Sequence, residues 1–176
     1  MFTIGITKGR WNTLLTALQQ FKDDYDRNQP IWRILPEFAA KYSQYERVGL
    51  RDLCQQIHDA YKTHNVARMT TEMYLSDMQP AMKPSDAFAK MAHDEIERVD
   101  IDQLEGRITA VLLTPYPPGI PLLIPGERFN QTIVDYLKFA RDFNEKFPGF
   151  ETDIHGLVAE EADGGKGYFV DCVRQD

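Results

Sequence analysis

Thr114-Pro-Tyr-Pro-Pro-Gly-Ile-Pro-Leu-Leu-Ile-Pro-Gly-Glu127 holds five of the chain's 10 prolines, at positions 115, 117, 118, 121 and 125. Each proline fixes φ and removes an N–H donor, so this stretch is neither a helix nor a central strand. It reads as a stiff, extended, polyproline-like loop. Yet Tyr116, Ile120, Leu122, Leu123 and Ile124 give it too much apolar surface for a solvated linker. Such a loop is expected to pack against something, because exposed apolar area is costly.

On either side of the loop the periodicity is mixed. Gly106 precedes a strand pattern over Ile108–Leu113, and Ile96–Ile101 reads as a shorter strand. After the loop a long helix runs from Asn130 or Thr132 to Phe147, burying Ile133, Leu137, Ala140, Phe147 and either Phe139 or Phe143. Pro148-Gly149 ends it. The tail reads as a hairpin, Ile154–Ala159 against Gly167–Val173 across a turn centred on Asp163-Gly164-Gly165. Tyr168, Val170 and Cys172 then line one face.

Further upstream the pattern is helical. Phe2, Ile4 and Ile6 alternate as a short strand, and Thr7 can cap a helix carrying Trp11, Leu14, Leu15, Leu18, Phe21 and Tyr25 at helical spacing. Pro30 and Pro36 make 28–36 a connector or a short helical turn. Leu50, Leu53, Cys54, Ile57 and Tyr61 mark a second helix; Asn65 interrupts it before Val66, Met69 and Met73 resume the period. Gln79–Pro84 is a break. Pro84 suits a first helical position, with Phe88, Met91 and Ala92 as the buried side of a short helix. The fold class is therefore α+β: an N-terminal helical segment, then a small mixed sheet with a terminal β-hairpin packed on helices. The boundary falls within 65–84 and is placed between residues 75 and 76. A strand at the first residues also suggests a piece cut from something larger.

With 176 residues, the chain is one domain, or one and a piece, at roughly 100–200 residues per domain. A composition of 43% hydrophobic, 11% aromatic and 27% charged residues excludes a disordered, collagen-like or coiled-coil chain. The net charge of −7 argues against nucleic acid and against an anionic membrane surface, since both need a basic face. No apolar run approaches the ~18–20 residues that span a bilayer. Lys8 and Arg10 follow the apolar start rather than precede it, which is not a signal peptide. Cys54 and Cys172 stand far apart, so neither a disulfide framework nor a metal spacing is present. A reducing, cytoplasmic setting is expected.

Catalytic motifs are absent. The histidines, His58, His64, His93 and His155, show no zinc-type spacing. His155 stands near Asp153 and could be oriented by it, although a solvent-facing hairpin side chain is the simpler reading. Cys54 reads as core. Ser85, Asp86 and Thr132 suit helix starts better than nucleophilic chemistry, and no GxSxG occurs. Gly5-x-x-x-Gly9 precedes a helix but matches neither phosphate-binding pattern, so a turn and cap are favoured over an anion site. Catalytic, cofactor-binding and metal-ligating residues are accordingly assigned to none of the positions.

The residues nevertheless resemble a family. Gly106-Arg-Ile-Thr-Ala, Pro115-Tyr-Pro-Pro-Gly-Ile-Pro and Pro125-Gly-Glu127 resemble the C-terminal region of the bacterial ornithine/lysine/arginine decarboxylases, pyridoxal-phosphate enzymes of fold-type I. Phe147-Pro-Gly-Phe-Glu-Thr-Asp-Ile-His-Gly156 is similar to the segment before their last hairpin. Phe2-Thr-Ile-Gly-Ile-Thr-Lys-Gly-Arg-Trp11 and Phe21-Lys-Asp-Asp-Tyr-Asp-Arg-Asn28 look like the end of the preceding small domain. The resemblance implies that 1–75 is the helical tail of a small aminotransferase-like domain and 76–176 the C-terminal α+β domain. It implies pyridoxal phosphate in the parent enzyme and none bound here, because the family's lysine sits in a Ser-x-His-Lys context and no lysine of this chain follows a histidine. It further implies a large cofactor domain of the same enzyme as partner, a homo-oligomer, and a wall of the channel to the cofactor made by Tyr116, Pro117, Pro118, Gly119 and Glu127. The chain alone is expected to be inactive. The alternative is a stand-alone module that binds a protein through the proline loop or the hairpin edge.

Overall fold

The computed structural model describes residues 7–162 and 165–175. The expected strand at Phe2–Ile6, Gly5 of the GxxxG pattern, and the turn residues Asp163 and Gly164 lie outside them. The chain divides into two compact units, residues 1–60 and 61–176.

In the first unit, α1 spans Lys8–Asp26, and Thr7 accepts a hydrogen bond from the Arg10 amide at 3.4 Å, the expected cap. Its apolar residues fall on helical spacing, yet none of α1 is buried. Short helices α2 (Ile31–Ile34) and α3 (Pro36–Lys41) follow, then a 3-10 turn at Ser43–Tyr45 and the start of α4 (Leu50–Thr63). Ile31, Ala39, Tyr45 and Leu53 form the small core of this unit. The start of α4 borrows its cap. Asn28, at φ +49°, accepts from the Asp52 amide at 3.2 Å and donates to the Asp52 carboxylate at 2.8 Å. Gly49 leaves room for this, since a Cβ there would lie 2.1 Å from Asn28 Oδ1. A side chain 24 residues upstream thus satisfies one of the first N–H groups of the helix.

The second unit carries α5 (Val66–Leu75), α6 (Pro84–Ala92) and α7 (Gln131–Lys146). Asn65 interrupts the helical run in a left-handed conformation, and Pro84 opens α6 as expected. The α6 face differs from expectation: Ala87 is buried, while Phe88 is 62% exposed and Ala92 is exposed. Ala87 packs with Ile108, Ala110 and Val173, a tight site that suits a small side chain. Both Phe139 and Phe143 are buried on α7, beside Ile133, Leu137 and Ala140, and Asn130 caps it by accepting from the Ile133 amide at 3.0 Å.

The strands are β1 (Ile96–Asp100), β2 (Thr114–Tyr116), β3 (Asp153–His155), β4 (Leu157–Ala162) and β5 (Gly165–Val173). They form two antiparallel sheets, β1-β5-β4 and β2-β3, so the class is α+β. The hairpin is β4 with β5, in the register Leu157↔Val170 and Ala159↔Tyr168, and Tyr168, Val170 and Cys172 face the core. Its first strand begins later than expected, because Ile154 pairs with Pro115 in the second sheet. The expected strand over 108–113 is not regular. Val173 N donates to Ile108 O at 2.8 Å and Ala110 N to Asp171 O at 3.0 Å, continuing beside β5 where β4 has ended. Thr109 Oγ1 then donates to Val111 O at 2.7 Å and accepts from Val111 N at 3.2 Å, and this local ring diverts the backbone from the ladder. The core joins Phe129, Ile133, Leu137, Leu113, Leu122, Leu123 and Val170 around the base of the proline loop.

Candidate functional site

The proline loop is an exposed rim on a buried footing. Leu113 N donates to Leu123 O at 2.9 Å and Leu122 N to Leu113 O at 2.7 Å, closing the stems together. Leu113, Leu122 and Leu123 are each no more than 1% exposed. The residues between and beyond them point out: Tyr116 is 48% exposed, Ile120 54% and Ile124 40%. The expected packing is thus met at the stems and not at the tip, which keeps an apolar face in solvent.

Tyr116, Pro117, Pro118 and Gly119 form the tip. Both prolines are exposed, and Gly119 N donates to Pro115 O at 2.8 Å. The Tyr116 ring lies 4.8 Å from the His155 ring, across the β2-β3 pair. His155 Nε2 is 3.3 Å from Asp153 Oδ2, so the carboxylate does sit beside the imidazole, and both side chains are largely in solvent. Glu127 stands at the other end of the loop. Its carboxylate accepts from the Ile124 amide at 2.8 Å, closing the Pro125-Gly126 turn, and its own amide donates to Ile124 O at 3.1 Å. The structure therefore joins the first four residues in one tip and gives Glu127 a clasp at the base.

One neighbour carries no signal in the sequence. Tyr74, on α5, donates its hydroxyl to Ile120 O at 3.1 Å, across 46 residues. Burial pushes the Tyr74 phenol above its ordinary range, and pushes Tyr136 up to about 12. Cys172 is likewise pushed up to about 12, chiefly by burial, and is no nucleophile.

Elsewhere the surface of this unit has open hollows among the described residues. One, of about 300 Å³, is lined by His64, Arg68, Glu72, Thr132 and Asp135. Another, of about 470 Å³, is lined by Ser76, Gln79, Arg128, Asn130 and Thr132. Every lysine is exposed or only half-buried, and none lines these hollows. Among the described residues no group of three or more His, Cys, Asp or Glu could hold a metal ion, and no helix is long and apolar enough to cross a membrane.

Comparison with known proteins adds a consistent pattern. The profile of the Orn/Lys/Arg decarboxylase C-terminal domain matches residues 67–174. Lysine decarboxylase LdcA of Pseudomonas aeruginosa is 47% identical over 179 residues, covering 99% of this chain and 24% of the relative. The biodegradative arginine decarboxylase of Escherichia coli is 35% identical over 99% of this chain and 23% of its own length. The inducible ornithine decarboxylase of Escherichia coli is 32% identical over 87% of this chain and 21% of its own length. Among solved structures, lysine decarboxylase A from Pseudomonas aeruginosa superimposes with a TM-score of 0.91 over 99% of this chain and 24% of that one. The constitutive lysine decarboxylase of E. coli gives 0.88 at 34% identity, over 99% of this chain and 25% of that one. The chain spans about a quarter of the length of these relatives.

Proposed function

Because the chain belongs to the ornithine/lysine/arginine decarboxylase family and matches its C-terminal domain, we propose that it serves as the C-terminal portion of a basic amino acid decarboxylase. Its residues do not fit pyridoxal phosphate. A Schiff-base lysine needs a desolvated pocket, and every lysine here is at least partly exposed and outside the hollows. The cofactor and the decarboxylation chemistry belong to the part of the parent enzyme that these 176 residues do not span. Residues 1–75 are read as the helical tail of a preceding small aminotransferase-like domain, and 76–176 as the C-terminal α+β domain.

The observation that carries the reading is the loop's division into a buried footing and an apolar rim. Tyr116, Ile120 and Ile124 stand in solvent on a segment that five prolines between 115 and 125 keep stiff. A stiff apolar edge loses little entropy on docking, which suits a wall of a substrate channel against the large domain or a second subunit of a homo-oligomer. In this reading Tyr116, Pro117, Pro118 and Gly119 face the channel, and Glu127 holds the loop's base. The relatives' names leave lysine, arginine and ornithine all open as substrates.

The test is a graft of this chain in place of the matching quarter of the P. aeruginosa enzyme. The graft is expected to decarboxylate lysine, and Tyr116→Ala to raise KM. The purified 176-residue chain is expected to retain no pyridoxal phosphate on dialysis and to release no CO2 from lysine, arginine or ornithine. Turnover by the isolated chain would overturn the reading.

A further inference from the structure

The loop tip has a supply problem. Of the seven residues 115–121, four are proline, so only Tyr116, Gly119 and Ile120 have an N–H. Gly119 N is spent inside the tip on Pro115 O, and Tyr116 belongs to the β2-β3 pair. A segment so poor in donors depends heavily on its carbonyls, and on donors from elsewhere, to be tied to its surroundings. Tyr74 supplies one. Its hydroxyl reaches Ile120 O at 3.1 Å, where the tip turns back toward the buried Leu122 and Leu123. Tyr74 also packs against the main core, which fixes its ring, and α5 contacts α7.

We infer that Tyr74 is a positioning residue for the channel wall: its hydroxyl, held by α5, sets where the Tyr116–Ile120 tip stands. The inference rests on the channel-wall reading above. Tyr74 is not among the residues read as facing the channel; it acts through Ile120, whose carbonyl it holds. Without the hydroxyl, the stem pairing of Leu113 with Leu123, the Glu127 clasp and the β2-β3 pair still hold the base, so the fold persists while the tip loses its tie to α5 at Ile120. The consequence falls on substrate entry rather than on the chemical step.

The experiment uses the full-length graft, assayed with lysine, comparing Tyr74→Phe with Tyr116→Ala. Tyr74→Phe deletes one oxygen and keeps the ring. It is expected to raise KM roughly fivefold, the scale of one lost neutral hydrogen bond. The expected kcat stays within a factor of about two, as for lost uniform binding. A Tyr74→Phe graft with unchanged KM, beside a Tyr116→Ala graft with raised KM, overturns the positioning role and leaves the channel wall standing. A fall in kcat and thermal midpoint with KM unmoved makes Tyr74 a packing residue and also overturns it. If Tyr116→Ala leaves KM unmoved, the channel-wall reading itself fails.

Discussion

The ring of Tyr116 closes over Gly119: a Cβ on Gly119 would lie 2.9 Å from Cε1 of that ring, at a backbone φ of +78°. Ring and backbone therefore hold each other in the tip. Gly119→Ala meets both a left-handed backbone and the ring, and is expected to cost about 1–2 kcal/mol, the usual penalty for a side chain in that region. The ring must also swing from its place beside His155. Chemical denaturation of the variant checks the energy, and tyrosine near-UV circular dichroism checks the ring. An alanine variant as stable as the parent refutes the close fit.

The loop's alternation of buried and exposed residues makes a second prediction. Leu123 is 1% exposed and Ile120 54%. Leu123→Ala empties a site in the main core and is expected to cost about 2–5 kcal/mol. Ile120→Ala, at the rim, should stay within about 0.5 kcal/mol, as exposed positions do. Urea unfolding of both variants decides it, and equal losses would mean that the rim is packed after all.

Most helices and the hairpin were legible because their signals are local. The α7 period, its Asn130 cap and Pro148-Gly149 all lie within one stretch of chain, and the alternation of Tyr168, Val170 and Cys172 needs no partner to be read. The segment 108–113 departs from its pattern for the opposite reason. Its apolar alternation is that of a strand, but the Thr109 hydroxyl bonds to Val111 and competes with the ladder, which propensity does not register. Phe88 and Ala87 show the same limit: periodicity gives a face, and only the neighbours decide whether Ala87 or Phe88 fits it. Within the candidate site, the proline tip could be read from composition. Tyr74 could not, because a contact across 46 residues leaves no trace in spacing.

Asp102 anchors a small ion network whose pH dependence has a definite sign. Lys138 Nζ and Arg141 Nη1 each approach its carboxylate at 3.0 Å. The hydrogen bond from Lys138, then that from Arg141, holds the carboxyl below its ordinary value of 3.8 against a desolvation that opposes it. A carboxylate depressed in the folded state stabilises above the unfolded value and loses that contribution as pH falls through the folded one. The side chain is 54% exposed, so screening keeps the effect small. Asp102→Asn should therefore destabilise the chain at pH 7 by no more than about 1 kcal/mol. The gap should close below pH 3.8 and shrink in high salt. Thermal midpoints across pH test this; a gap that widens in acid contradicts the sign.

The two thiols should separate by reactivity. Cys172 is fully buried with its thiol pushed up to about 12, whereas Cys54 is only half-buried. Alkylation proceeds through the thiolate, so Cys172 should be silent in the native state and react only on unfolding. Mass spectrometry after iodoacetamide at pH 8 should find label on Cys54 first. Early label on Cys172 would show that β5 opens locally without global unfolding.

The least satisfied element of the first unit is α1, and it carries the last prediction. Leu14, Leu15, Leu18 and Phe21 lie on helical spacing, yet they are 39%, 48%, 57% and 54% exposed, and none of its 19 residues is buried. Helices in proteins draw most of their stability from a packed apolar face. A contiguous exposed stripe of large apolar residues marks a surface built to be covered. In the proposed reading, the cover is the small domain of the parent enzyme. The isolated chain then has only further copies of itself to offer, and it is expected to self-associate as concentration rises. Replacing Leu15 and Leu18 by lysine puts two charges at the centre of the stripe and should return the chain toward a monomer. Light scattering over a concentration series measures both. A parent chain that stays monomeric at high concentration would remove the argument that α1 awaits a partner.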